Sequence, residues 1–274
     1  MLGRRADSID TLSWPKETAQ PRVLIVMPAY NEEANIGAVI NSVRQLLPGA
    51  DVLVVNDGSR DATAYVAAEA GAILVSHPYN LGYGAACQTG FKYACRHNYD
   101  YVVQMDSDGQ HEPRSVLPLL AAVMQPDVDI ALGSRWMGLA EYKGPLLRKF
   151  GKFYFAFLAG ILTHQKITDP TTGFQALTRE VVHFYSSSVY PVDYPDADVI
   201  IMLKRAGFRM REVPVIMYLS TTGQSMHAGL LRPIYYGMKM MLSIAMTLLR
   251  DDRKLRPAHP PEVLDFRYGR GGRA

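Results

Sequence analysis

Tyr101-Val102-Val103-Gln104-Met105-Asp106-Ser107-Asp108-Gly109-Gln110-His111 sets the fold class and points to the chemistry. A mostly apolar run leads into two carboxylates one residue apart, then a glycine, an amide and an imidazole. The apolar run predicts a buried strand, and Gly109 marks its end. Side chains alternate along a strand, so Asp106 and Asp108 share a side, and a turn at the strand end lets them converge. Two hard oxygen ligands in that place suit Mg²⁺ or Mn²⁺, especially a cation that also holds phosphate oxygens. Ligands of open α/β sheets bind outside the carboxyl ends of strands. A polar turn capped by an aspartate would give the same tripeptide, so the neighbouring segments decide.

Those segments repeat the pattern. Val23-Leu24-Ile25-Val26-Met27 predicts a strand ending in Pro28-Ala29-Tyr30-Asn31-Glu32-Glu33. Asn31 is expected to cap the next helix, with Ile36, Val39, Ile40 and Val43 on its apolar face. Val52-Leu53-Val54-Val55 predicts a second strand, ending in Asn56-Asp57-Gly58-Ser59-Arg60-Asp61, and Ala72 to Ser76 a third. Asn80-Leu81-Gly82-Tyr83-Gly84-Ala85-Ala86 opens a helix whose small residues permit close backbone approach to a phosphate or to another element. It lacks the G-x-G-x-x-G spacing, which excludes a dinucleotide fingerprint. Pro113 starts a further helix, and Asp129 to Gly133 predicts a fifth strand ending in Ser134-Arg135. Strands alternating with helices predict an α/β fold with a mostly parallel central sheet covered on both faces. Glu32, Asp57, Asp106 and Asp108 then gather on one edge as a negative pocket that calls for a cation.

The 274 residues suit one large α/β domain, or one domain with a small annex. A formal charge of +3 does not suggest nucleic acid. Cys87 and Cys95 fall in one predicted helix, about 12 Å apart along its axis, too far for a disulfide. A reducing compartment follows. Residues 1–20 are polar with scattered prolines and predict a mobile arm without a signal peptide. No uncharged apolar run reaches the length of a membrane span.

In number and order, Pro28 to Glu32, Asp57-Gly58-Ser59 with Asp61 and Thr63, Asn80-Leu81-Gly82, Asp106 to His111 with Pro113, and Gly133-Ser134-Arg135 resemble the catalytic domain of family 2 glycosyltransferases. The resemblance implies the GT-A fold, a three-layer sandwich with C-terminal helices, and a nucleotide-sugar donor. It implies that Pro28, Tyr30, Asn31, Glu32, Asp57 and Gly58 line the donor site. Asp106, Asp108 and Gln110 would hold the metal on the pyrophosphate, and Arg135 would touch phosphate or sugar.

The second half bears on the acceptor. Gly144 to Thr163 predicts a helix with Arg148, Lys149 and Lys152 near its start, suited either to an anionic membrane surface or to an ordinary core position. Asp169-Pro170-Thr171-Thr172-Gly173-Phe174 resembles a stretch in the branch containing dolichyl-phosphate mannose synthases and bacterial polyprenyl-phosphate glycosyltransferases. Asp193 to Asp198 leads into a helix closed by Gly207. Arg211-Glu212-Val213-Pro214-Val215 resembles the family's late strand. Ser220 stands where relatives carry an arginine, so a phosphate contact is either missing or supplied by another residue, such as His227 or Arg232. Pro233 to Leu249 is apolar but contains Lys239, short for a span and suited to an interface.

The resulting expectation is a catalytic domain over 21–226, an apolar or amphipathic helix over 227–250 and a disordered tail over 251–274. The expected reaction is inverting transfer of a hexose from a UDP- or GDP-sugar to a polyprenyl phosphate, at the cytoplasmic face of the membrane. Peripheral membrane contact and self-association are both expected of the apolar helices. Asp108 is expected to act in catalysis through the metal. Asp196 or Asp198 would serve as base for a hydroxyl acceptor or orient a phosphate acceptor, the alternative being N-capping of their helix. Arg148, Asp169, Thr172, Gly173 and His227 are expected around the acceptor phosphate. Two rival readings remain: transfer to a polysaccharide, protein or small-molecule hydroxyl, and a nucleotide-sugar-binding regulator without turnover. A nucleotidyltransferase is disfavoured, because Pro28 to Glu32 is not a glycine-rich basic loop.

Overall fold

In the computed structural model the described residues are 21–137, 160–188, 190–191, 197–218 and 231–249. The element order begins β1 (Val23–Ala29), α1 (Ile36–Leu46), β2 (Asp51–Asn56), α2 (Thr63–Glu69), β3 (Ile73–Ser76), α3 (Tyr83–Arg96) and β4 (Tyr101–Gln104). A 3₁₀ turn at Pro113–Ser115 then opens α4 (Val116–Val123), followed by β5 (Ile130–Ser134). The second half adds β6 (Gln175–Thr178), α5 (Arg179–Ser186), α6 (Ala197–Ala206), β7 (Met210–Pro214) and α7 (Leu231–Leu249).

The sheet runs β3-β2-β1-β4-β6-β5-β7. The β1–β2, β1–β4, β2–β3 and β5–β7 pairs are parallel. β6 is antiparallel to both neighbours, with Val103 opposite Ala176 and Ala131 opposite the same residue. Every residue of β1 is buried, as befits a central strand covered on both faces. One core side holds Leu24, Val26, Phe91 and Tyr185. The other holds Ile25, Met27, Ile40 and Leu119.

The predicted face of α1, Ile36, Val39, Ile40 and Val43, is its buried face. Its start differs from expectation. α1 begins at Ile36 after Asn35, while Asn31 sits at φ +55° and turns to another loop. Gly90 permits a close approach to β1: a Cβ there would come within 2.3 Å of a Val26 methyl. β1, β2 and β4 are parallel neighbours, so the turns after them share one sheet edge.

Candidate active site

The turn after β4 is built by its own side chains and by β1. Ser107 is buried and donates to the Pro28 carbonyl at 2.8 Å. Gly109 takes φ +78°, which turns the chain back. Asp108 accepts from the Gln110 backbone N–H at 2.9 Å and also from the Gln110 side-chain amide. Asp106 accepts the Tyr83 hydroxyl on Oδ1 at 2.8 Å. The backbone N–H of Asp106 donates to His111 Nδ1 at 3.0 Å. Nδ1 accepts that bond, which leaves the ring's proton on Nε2, and burial pushes the His111 pKa down. That Nε2 is buried without a hydrogen-bond partner and lies 3.6 Å from Asp106 Oδ2. Phe174 stacks on the same ring, with centroids 4.5 Å apart.

The carboxylates at this edge repel each other. Burial, and then the charge of Asp106, push the Asp108 carboxyl above its ordinary range. Burial also raises Glu32, with Asp108, Asp61 and Asp106 adding to it against a lowering hydrogen bond from Asn35. Among the described residues no lysine or arginine forms an ion pair with Asp106 or Asp108. Nor do the described residues include a group of three or more histidine, cysteine or acidic side chains placed to hold a metal. Two carboxylates with no third protein ligand of that kind do not match a closed structural zinc site. They do match a hard divalent cation that takes its other ligands from phosphates and water. The donor set therefore fits Mg²⁺ or Mn²⁺ carried with a diphosphate.

The turn after β2 works differently. Asp57 is 3% exposed. Its Oδ1 accepts from the Leu81 N–H at 2.8 Å and lies 2.7 Å from His77 Nδ1, while Oδ2 accepts from the Gly82 N–H at 2.8 Å. The other nitrogen of His77 lies 2.9 Å from Thr89 Oγ1. Asp57 thus clamps the loop before α3 instead of facing an open cleft. Gly58 is required beneath that loop: it has φ +70°, and a Cβ would come within 2.5 Å of the Tyr79 backbone.

The loops after β1 and β2 are laced together. Asn31 accepts from the Arg60 N–H and gives its own N–H to Ser59 Oγ. Glu32 N–H donates to Thr63 Oγ1 at 2.8 Å, and Glu33 accepts from the Ala62 N–H. Asn31 therefore ties two loops together and does not cap α1. Tyr30 is exposed and Pro28 buried.

Arg135 and the Asp169 stretch meet each other. Arg135 Nε donates to Asp169 Oδ2 at 2.6 Å and Nη2 to Oδ1 at 3.0 Å, a two-pronged pair, and Asp169 is fully buried. Glu212 of β7 accepts the Thr168 and Asp169 N–H groups. Thr172 Oγ1 accepts from the Phe174 N–H. Gly173 leaves room for Tyr83, whose hydroxyl would lie 2.5 Å from a Cβ there. Asp169, Thr172 and Gly173, expected around an acceptor, are met by Arg135, by the Phe174 N–H and by the Tyr83 hydroxyl respectively. Asp198 is 2% exposed and accepts from Ser243 of α7 and from the Val199 N–H. Its place is a helix start under α7. Asp196, Arg148 and His227 lie outside the described residues, as do Ser220, the arm over 1–20 and the tail over 251–274.

Sequence reasoning missed His77 and Tyr83. Nothing local marks either one, because each acts on a carboxylate some twenty residues away.

The family model for glycosyl transferase family 2 matches residues 24–185. The polyprenol monophosphomannose synthase of Mycolicibacterium smegmatis is 33% identical over 221 residues, which is 76% of this chain and 82% of that protein. The undecaprenyl-phosphate mannosyltransferase of Micrococcus luteus is 31% identical over 216 residues, covering 76% of this chain and 88% of the relative. Among solved structures, glucosyl-3-phosphoglycerate synthase of Mycobacterium tuberculosis, in complex with Mn²⁺, UDP and glucosyl-3-phosphoglycerate, superposes with a TM-score of 0.62. That likeness spans 87% of this chain and 85% of the other at 23% identity, and it shows the fold, GT-A. By sequence, then, the chain belongs to glycosyltransferase family 2.

Proposed function

We propose that this glycosyltransferase moves a hexose from a UDP- or GDP-sugar to a polyprenyl phosphate at a membrane surface. The observation that carries the reading is the Asp106–Asp108 turn, whose mutual repulsion no lysine or arginine among the described residues relieves. Asp106 and Asp108, with Gln110 beside them, would hold Mg²⁺ or Mn²⁺. When bound, such a cation supplies positive charge at the departing pyrophosphate. Pro28, Tyr30 and Glu32, in the loop laced to residues 59–63, would flank the nucleoside. Asp57 contributes by holding the 81–82 backbone in place.

The names of the two mannosyl transfer relatives support the acceptor. A lipid phosphate, with a second pKa of about 6, is largely dianionic at neutral pH and needs no general base. The burial of Asp198 under α7 agrees with a reaction that does not ask it to take a proton. No helix among the described residues is long and apolar enough to cross a membrane. α7 instead exposes Met238, Leu242, Met246 and Leu249 on one stripe while burying Ile244. That stripe supports peripheral contact with the lipid surface where the acceptor resides, on its cytoplasmic face.

The test is a donor screen with Mg²⁺ or Mn²⁺, run with and without undecaprenyl or dolichyl phosphate. The reading expects lipid-dependent release of UDP or GDP that EDTA abolishes. Metal-dependent donor hydrolysis indifferent to lipid phosphate would move the acceptor to another class.

A further inference from the structure

We propose that Tyr83 is a positioning residue, ending a line of donors that engages one oxygen of Asp106 and leaves the other for the donor's cation. The proposal rests on the metal reading above.

The line starts in the core. The Tyr185 hydroxyl donates to Gln175 Oε1 at 3.4 Å, and Gln175 Nε2 donates to Gln104 Oε1 at 2.8 Å. Gln104 Nε2 donates to the Tyr83 oxygen at 2.9 Å, and the Tyr83 hydroxyl donates to Asp106 Oδ1 at 2.8 Å. The direction of this line is fixed by its amides. The Tyr83 oxygen already accepts from Gln104, so the phenolic proton is free for Asp106. Tyr185, Gln175 and Gln104 are buried and Tyr83 is partly buried, where a hydrogen bond to a charged group is stronger than at the open surface. The side chain of Asp106 remains 30% exposed.

The surroundings of Tyr83 fit this role. Gly82, at φ +98°, sets the turn that starts α3 with Tyr83 as its first residue. Asp57 holds that turn through the Leu81 and Gly82 N–H groups. Gly173 lies against the hydroxyl from the far side, where any Cβ would come within 2.5 Å of it. The hydroxyl is therefore confined between Gly173, Gln104 and Asp106. Oδ1 is held by a protein donor. Oδ2 has none within hydrogen-bond distance, His111 Nε2 standing 3.6 Å off, and is the oxygen left for a ligand. Groups that orient a metal ligand from behind typically govern affinity by about 10–100-fold.

The experiment measures Mn²⁺ binding to the full chain in the presence of UDP or GDP, by calorimetry or by the electron paramagnetic resonance of free Mn²⁺. It compares wild type, Tyr83→Phe, Gly173→Ala and the double variant. Tyr83→Phe should weaken Mn²⁺ by about 10–100-fold. Nucleotide affinity measured without cation should stay within about twofold of wild type, a split that general loosening of the fold does not produce. Gly173→Ala should reproduce the loss by pushing the hydroxyl off Asp106. In the Tyr83→Phe background it should cost little more, because the oxygen it strikes is gone. If Tyr83→Phe does not fold, Gly173→Ala alone decides by the same split. Unchanged Mn²⁺ affinity in a folded variant would overturn the role of Tyr83. Wild type that binds no Mn²⁺ with any nucleotide would overturn the metal reading, and this proposal with it.

Discussion

Two acidic turns stand at one sheet edge, after β2 and after β4 with β1 between them, and their carboxylates are met very differently. Asp57 is wrapped in protein donors: two backbone N–H groups and the His77 ring meet its two oxygens. Asp106 and Asp108 are held only in part, and Asp108 feels the charge of Asp106. A buried carboxylate fully met by donors is a structural clamp. A pair set close together without such compensation is a place for a cation. The residue type and its place at a strand end are the same in both turns; what differs is the set of donors around each carboxylate.

The comparison can be broken by variants that should fail in different ways. The largest effect belongs to Asp108→Ala. Glycosyl transfer should fall by at least about 100-fold, read as product per unit time at saturating donor, while the melting temperature stays the same or rises. A loss of activity that merely tracked unfolding would erase the distinction between the two turns. Next comes Asp57→Ala, which leaves two backbone N–H groups and His77 without their acceptor. It should cost about 3 kcal/mol in chemical denaturation. Hydrogen exchange at Leu81 and Gly82 should quicken, and the apparent KM for the donor should rise more than kcat falls. An Asp57→Ala protein of wild-type stability would contradict the clamp.

The smallest effect is a pH dependence. The Asp108 carboxyl is raised in the fold, by burial first and by Asp106 second. The cation-free fold therefore binds that proton more tightly than the unfolded chain does. Its contribution to stability grows as pH falls through the raised value toward the ordinary aspartate value, and is lost as pH rises. Asp108→Asn removes the titration. At neutral pH the variant should be slightly more stable than cation-free wild type, with the gap closing as pH falls through that window. Parallel melting curves for the two proteins across the window would show that Asp108 is not strained.

The local parts of this molecule were legible from residue order. β1, α1 and the turn after β4 are each specified within a few residues, by an unbroken apolar run, by the spacing of Ile36, Val39, Ile40 and Val43, and by Asp-Ser-Asp-Gly. What depends on distant partners was not. Gln175 to Thr178 is a short mixed stretch that becomes a strand because it is clasped antiparallel between β4 and β5. Asn31 has the chemistry of a cap, but the loop after β2 takes its side chain first. Asp57 reads from the sequence as a ligand contact, and its bonds to His77 and the 81–82 backbone could not be read there. Asp169 and Gly173 read from the sequence as acceptor residues, and their contacts with Arg135 and Tyr83 could not be read there. In each case the deciding contact bridges twenty or more residues, which no periodicity or spacing rule spans.

The central claim is that the turn after β4, and not the turn after β2, takes the divalent cation. Its most direct measurement is a titration of Mn²⁺ in the presence of UDP or GDP into wild type, Asp108→Ala and Asp57→Asn. The account predicts one cation per chain for wild type, none for Asp108→Ala at comparable concentrations, and a retained cation for Asp57→Asn. Full Mn²⁺ binding by Asp108→Ala, or its loss only in Asp57→Asn, would contradict it.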